Sequence, residues 1–447
     1  MKKMNRKLVD LFLTKKRRRK ALRKIALAHK RAKHRLRAWE YRNLRAYHFG
    51  TTSVVAKMLS NVASCEAEMP QSFLRLTVPK IFSMQDAPGD VIEFISSFAR
   101  THVTRLITDV YVDFSPVEKQ DLGAHALLDL LIEEIKMQAS FRGVRIHWKG
   151  KYPKGQAERR FICSMGIIRV LDLKHHFLAP REANKIVRFE RRCRNYIHRL
   201  RKADPNNKTE QSNAARRFAD HIDRCLQKEG RRLTLEARSD LCSYVVEIID
   251  NAERHAGMVD WTIQGYIDLN SDQPHCEIVI LNLGRSIAQS MAAVPRGSYT
   301  YDLISEYIDI HSRSGWFRQG WDPAALYTLI ALQGRVSSRN LTRNDTGGQG
   351  TADLIEFFQA MHAERLAVGT NARMYIISGS TKVLIDGRYQ IVKNGAFRNI
   401  AFNDANDLRK PPDRSSVMTL DGPPLPGTII GIKFPIQADS LQEASTP

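Results

Sequence analysis

The stretch Leu241–Ala256, LCSYVVEIIDNAERHA, constrains this chain more than any other part of it. Read as a helix, it sets Glu247 and Asn251 four residues apart on one face, with Arg254 three further along. Leu241, Tyr244, Val245 and Ile248 supply an apolar stripe to bury. Asp250 lies off the Glu247 face and reads as a supporting contact. A carboxylate, an amide and a cation on one helical face suit a magnesium-triphosphate. The carboxylate serves as general base, the amide oxygen as a hard-metal ligand, and the cation meets phosphate oxygen.

Three further signals follow in order. Cys276–Leu281 reads as a mostly apolar strand running into Asn282-Leu283-Gly284-Arg285-Ser286-Ile287. Gly347-Gly348-Gln349-Gly350-Thr351-Ala352 is a glycine-rich turn before an apolar helix, Leu354–Met361. Glycines there let backbone N–H groups turn toward phosphate at a helix N-terminus, where the helix dipole also favours anions. Gly427-Thr428 then precedes a strand, Ile429–Pro435.

Together these segments resemble the GHKL (Bergerat-fold) ATPases: gyrase, histidine kinases, MutL and the anti-sigma kinases. The resemblance spans about 200 residues and implies an α/β sandwich over 231–437 that binds ATP and magnesium. In the family's N-box, commonly ExxDNAxxH, Glu247 is the residue that polarises the attacking group and Asn251 holds magnesium. Arg254 stands where histidine kinases commonly have a phosphate-contacting lysine. His255 is a weaker candidate, since a lone helix histidine is more often a packing residue.

The family's first glycine box is Asp-x-Gly-x-Gly. Asn282 replaces the adenine-reading Asp and still offers an amide oxygen, Gly284 is retained, and Ser286 replaces the second Gly. Gly347, Gly348 and Gly350 match the second box, with Ala352 in place of its last glycine. Thr428 takes the role of the threonine in the adenine–Asp water network. The connection between the boxes is long for the family's ATP lid. Its helical patterns at Tyr299–Ile310 and Ala324–Leu332 predict an elaborated lid, from whose end Ser337, Ser338 and Arg339 reach toward phosphate.

Charge is distributed unevenly. Residues 1–48 hold 19 Lys and Arg against Asp10 and Glu40, a balance of +17 out of the chain's +23, which leaves +6 for the other 399 residues. With no Gly or Pro, the segment predicts a long basic helix with a break near Thr14 and only a broken apolar stripe. The six-residue basic block Lys15–Lys20 would neutralise phosphates and release counterions, and Trp39, Tyr41 and Tyr47 are spaced to stack on bases. These features point to a nucleic-acid arm; a membrane-surface helix or one docking an acidic protein are the alternatives.

Residues 49–175 read as α/β: strands at Val110–Phe114 and Val144–Trp148 flank a helix at Leu122–Ala139, a crossover unit with a parallel pair, and Phe161–Met165 reads as a further strand. The segment VYVDFSPVEKQDLGAHALLDLLIEE resembles the STAS fold of anti-sigma-factor antagonists. With Gly123 on the motif glycine, Asp121 falls on the family's phosphorylatable serine, which implies a unit fixed in one charge state and facing a protein partner. A plain α/β scaffold is the competing reading. Residues 176–230 read as a charged helical connector turning at 203–207, and 438–447 as a loose polar tail.

The six cysteines are scattered without a CxxC pair and read as reduced packing residues of a cytoplasmic protein. No run of eighteen uncharged apolar residues is present, so no membrane span is expected. The fold class expected is therefore α/β (α+β): a C-terminal Bergerat-type sandwich, a STAS-like α/β domain and a basic helix before it.

Three functions fit this reading. The first is an ATP-driven bacterial regulator or effector, a slow ATPase switch whose arm engages nucleic acid. The second is a serine/threonine kinase resembling the anti-sigma kinases, acting on a separate STAS partner. The third is an ATP sensor or scaffold without turnover.

Overall fold

A computed structural model describes residues 53–59, 72–104, 107–171, 186–193, 207–227, 231–255, 261–268, 275–312, 320–337, 340, 342, 351–356, 358–359, 372–394, 397–435 and 441–443. The basic arm and the glycine turn at 347–350 lie outside them. The chain is mixed α and β, as expected.

Its centre is a seven-stranded antiparallel sheet. The strands are β6 (Ile186–Cys193), β8 (Trp261–Asp268), β9 (His275–Leu283), β10 (Arg373–Gly379), β11 (Thr381–Ile385), β14 (Val417–Thr419) and β15 (Leu425–Pro435). They lie in the order β14-β11-β10-β15-β9-β8-β6. β8 and β9 are buried almost continuously rather than at alternate positions. An antiparallel sheet commonly leaves one face in water, so an unbroken apolar run means that both faces are covered.

On the first face, Ile263, Ile278, Ile280, Met374, Ile376 and Ile432 pack with residues of the surrounding helices. Phe218 comes from α6 (Asn207–Gln227), and Val245 and Ile249 from α7 (Leu235–His255). The connection after β9 adds α8 (Ile287–Ala292), α9 (Tyr299–Ser312) and α10 (Pro323–Ile330), with Met291, Ile304, Tyr307, Leu326 and Leu329 in the same core. The two longer helices are those expected of this connection. Residues 351–356 and 358–359 are also helical, with Leu354, Ile355 and Phe358 buried.

The opposite face is covered by the upstream unit. Here α3 (Leu122–Arg142) follows α1 (Val54–Leu59) and α2 (Pro88–Thr104). Residues 121–132 are all buried, and a helix that is apolar all round must be enclosed on every side. One side of α3 joins the core of a parallel sheet, β1 (Phe73–Thr77), β3 (Asp109–Asp113) and β5 (His147–Lys151), ordered β1-β3-β5. Other residues meet Val279, Leu281, Leu283, Ile377 and Ile429 of the seven-stranded sheet. The crossover β3–α3–β5 with its parallel pairing is as the sequence predicts.

Four local expectations are corrected. Phe161–Met165 is the end of a helix, α4 (Gln156–Met165), because a short apolar run fits either element and here packs at helical spacing. β5 starts at His147, not Val144: Gly143 caps α3 at φ 72° and the Val144 N–H turns back to the Ala139 carbonyl. The connector is not wholly helical, since Ile186–Cys193 is the edge strand β6, anchored by Phe189 against Phe218. An edge strand tolerates the charged residues that suggested a solvated helix. In the tail, Leu441–Glu443 forms β16 and pairs with β7 (Arg231–Leu233), since main-chain pairing asks for no apolar pattern.

Candidate functional site

Glu247, Asn251, Arg254 and His255 all fall on α7. Leu241, Val245 and Ile249 are the buried positions of that helix. At 3.6 residues per turn, positions 247, 251 and 254 lie across the helix from that row. The four candidate side chains lie outside the described residues.

Residues 282–287, read above as a glycine box, are described in full. Cys276, Ile278 and Ile280 point into the α7 core, and Asn282 continues that alternation at the end of β9, 3% exposed. Its neighbour across the ladder is Thr428 on β15, and the neighbour of Thr428 on β10 is Ser378. Three polar residues thus form one row at the ends of strands whose middles are mostly apolar. Ser378 Oγ lies 2.7 Å from Thr428 Oγ1, lies 3.2 Å from the Gly427 carbonyl oxygen, and accepts the Ile287 N–H at 2.8 Å. Sequence reasoning missed Ser378; a lone serine at the end of an apolar strand gives no signal.

Backbone geometry explains the glycines around this row. Gly427 has φ 136°, and a Cβ there would sit 2.1 Å from the Asn282 carbonyl oxygen. The Gly284 N–H donates to the Pro426 carbonyl at 3.1 Å, closing the turn onto β15. Ser286, where the GHKL box has glycine, caps α8: its Oγ accepts the Gln289 N–H, and the Gln289 side chain accepts the Ser286 N–H. The serine therefore serves the helix that opens the long connection.

Gly347, Gly348 and Gly350 lie outside the described residues, as do Ser338 and Arg339. Ser337 is described and buried, and its carbonyl accepts the Thr300 hydroxyl. Among the described residues, no group of three His, Cys, Asp or Glu is placed to hold a metal ion.

A second polar cluster occupies the opposite sheet face, at the N-terminus of α3. Asp121 caps the helix: Oδ1 accepts the Ala124 N–H at 2.8 Å, and Oδ2 accepts the Gln85 N–H at 2.9 Å and the Ser83 hydroxyl at 2.8 Å. Glu277, on β9 but facing away from Asn282, accepts the Leu122 N–H at 2.9 Å and the Tyr266 hydroxyl at 2.8 Å. Burial raises the Asp121 carboxyl above its ordinary value and pushes Glu277 up to about 7. Burial also lowers the nearby His125 to about 3.

Asp121, aligned above with a phosphorylatable serine, is 8% exposed, and both of its oxygens are engaged within the chain. It works as an internal fastening rather than a surface signal. Gly123 belongs to the same junction, since a Cβ there would meet the Tyr375 hydroxyl at 2.3 Å. No helix among the described residues is long and apolar enough to cross a membrane. Comparison with family models, curated proteins and solved structures finds no match to this chain.

Proposed function

We propose that residues 231–437 form a GHKL-type pocket for ATP and magnesium, and that the chain is a slow ATP-driven switch whose basic arm engages nucleic acid. The observation that carries this reading is the pairing of Asn282 with Thr428 across β9 and β15, beside the conformationally forced Gly427. It stands on the sheet face that α7 covers. That is the arrangement expected if an amide oxygen and a hydroxyl together read an adenine amino group. Asn282 is buried and Thr428 half-buried, which suits groups at the floor of a pocket.

In this reading Asn282, Thr428 and the Gly284 turn hold the base. Asn251 holds magnesium, and Arg254 with Gly347, Gly348 and Gly350 holds the phosphates. Glu247 takes the proton of the attacking group. β9 carries Asn282 on one face and Glu277 on the other, five residues apart. A nucleotide seated on Asn282 is thus joined through a single strand to the first turn of α3, which gives the switch a route to the upstream unit. The chain would act in the cytoplasm.

Phosphoryl transfer to a separate STAS protein is the alternative, and binding without turnover the third reading. Incubation of the purified chain with labelled ATP, with and without DNA or RNA, separates them. Free phosphate that disappears in Glu247→Gln supports the switch; label carried to an added partner supports the kinase; retained ATP with neither product supports the sensor. Hydrolysis that is equal in wild type and Glu247→Gln contradicts the role given to Glu247.

A further inference from the structure

Parallel sheets are ordinarily covered on both faces, and among the described residues no element covers the outer face of the three-stranded sheet. Leu74, Leu76, Val110 and Val112 turn inward to the core shared with α2 and α3. The alternate residues face outward in three rows set by the strand register: Phe73–Asp109–His147, Arg75–Tyr111–Lys149 and Thr77–Asp113–Lys151. Phe73 is 52% exposed, and His147, Lys149 and Lys151 are exposed with it.

The charge on this face favours one kind of partner. Residues 145–160 contain six Lys and Arg against Glu158 alone. Arg145, Lys149 and Lys154 make no ion pair among the described residues, while the charge of Lys151 helps to hold the neighbouring Asp113 carboxyl down. The two carboxylates of β3 are already engaged. Asp113 is 6% exposed and takes the Ser115 N–H, the Ser115 hydroxyl and Arg75, while Asp109 takes the Thr108 hydroxyl. The Arg75 guanidinium lies over the Tyr111 ring, 5.5 Å from its centroid, so a flat cation and an aromatic ring form one stacked unit.

We propose that this face binds single-stranded nucleic acid, with the backbone along the cations of β5 and the bases over Phe73 and the Arg75–Tyr111 pair. Aromatic faces interleaved with exposed cations on a sheet accept unstacked bases of any sequence, and a duplex hides those faces. This shares its partner with the reading of the arm but rests on different residues.

The test uses the intact chain and fluorescence anisotropy against a uridine 20-mer, a thymidine 20-mer, a duplex of equal length, and vesicles containing phosphatidylserine. Lys149→Gln/Lys151→Gln is expected to weaken single-strand binding and to reduce the salt slope by about 1.4, since each single-strand phosphate contact contributes about 0.7. Phe73→Leu and Tyr111→Leu keep β-compatible side chains. Each is expected to weaken binding about fivefold or more while leaving the salt slope unchanged.

A chain lacking residues 1–48 separates the two readings. Loss of binding on truncation with no effect of the four sheet substitutions overturns the sheet-face site and leaves the arm standing. Binding that survives truncation and still depends on the four sheet residues supports the sheet face, and the affinity lost on truncation measures what the arm adds. Equal loss of duplex affinity in the aromatic variants, or tighter binding to the vesicles than to either 20-mer, also overturns the proposal.

Discussion

Glu277 Oε1 accepts the backbone N–H of Leu122 at 2.9 Å, a hydrogen bond that ties β9 to the first turn of α3 across 155 positions of sequence. A carboxylate at a helix N-terminus satisfies an orphan donor and meets the positive end of the helix dipole. Here the helix and the acid come from segments far apart in the sequence, so the contact forms only when the upstream unit is docked on the sheet.

That carboxyl should give the protein a measurable pH dependence. Its folded value of about 7 lies above the ordinary 4.5, so between these values the folded chain holds a proton that the unfolded chain has released. The stability contributed by the protonated acid is present in full below about 4.5 and is lost as pH rises through about 7, a change on the order of 3 kcal/mol. His125 acts with the opposite sign, losing stability as pH falls from 6.5 toward 3, so wild type must be compared with a variant that keeps His125. Between about pH 5 and 6.5 the two groups oppose each other, so Glu277→Gln, with His125 left to act alone, should show a Tm that rises more steeply with pH than that of wild type. Parallel profiles for the two proteins would remove Glu277 from the titrating set.

Gly427→Ala should cost more than other glycine substitutions at positive φ. Its Cβ would lie 2.1 Å from the Asn282 carbonyl oxygen, whereas Gly422, at φ 95°, has nothing within 4 Å. Strain alone costs about 1 kcal/mol at either site, and the clash at 427 should add about 2 kcal/mol more. Denaturant unfolding of both variants checks this. Equal losses would mean that the β9–β15 turn relaxes freely and does not fix the Asn282–Thr428 row.

Deleting residues 1–48 removes +17 of the +23 charge and no residue assigned to the nucleotide pocket. ATP-induced stabilisation should survive, while affinity for DNA and RNA should fall and lose much of its dependence on salt. Replacing Lys15–Lys20 with alanine should weaken all sequences alike, because contacts to phosphate carry no base information. Matched salt titrations of full-length and truncated chains measure this, and unchanged slopes would contradict an arm of this kind.

The parts of the fold legible in the sequence are those governed by local rules. The α7 periodicity, the apolar strand 276–281, the closing strand after Gly427 and the crossover around α3 each follow from spacing or from a backbone demand. Glu277 and Ser378 were not legible, because a polar residue inside an apolar strand becomes meaningful only once its partner is known. The docking of α3 was hidden for a similar reason. Its all-round apolar surface announces enclosure without naming the second wall, which lies more than 150 residues downstream. In the sequence Asp121 stands out only as a position in a loop motif, and its hydrogen bonds give it the plainer task of a helix cap.

The central claim is that this chain holds ATP with magnesium through α7 and the Asn282–Thr428 row. The most direct measurement is thermal unfolding of the intact protein with ATP and magnesium, in wild type and Asn251→Ala. A ligand that binds only the folded state at a hundred times its Kd stabilises it by about 2.7 kcal/mol. The expected result is a clear rise in Tm for wild type that depends on magnesium and is mostly lost in Asn251→Ala. An undiminished magnesium-dependent rise in Asn251→Ala, or no rise in wild type at millimolar ATP, would contradict the pocket.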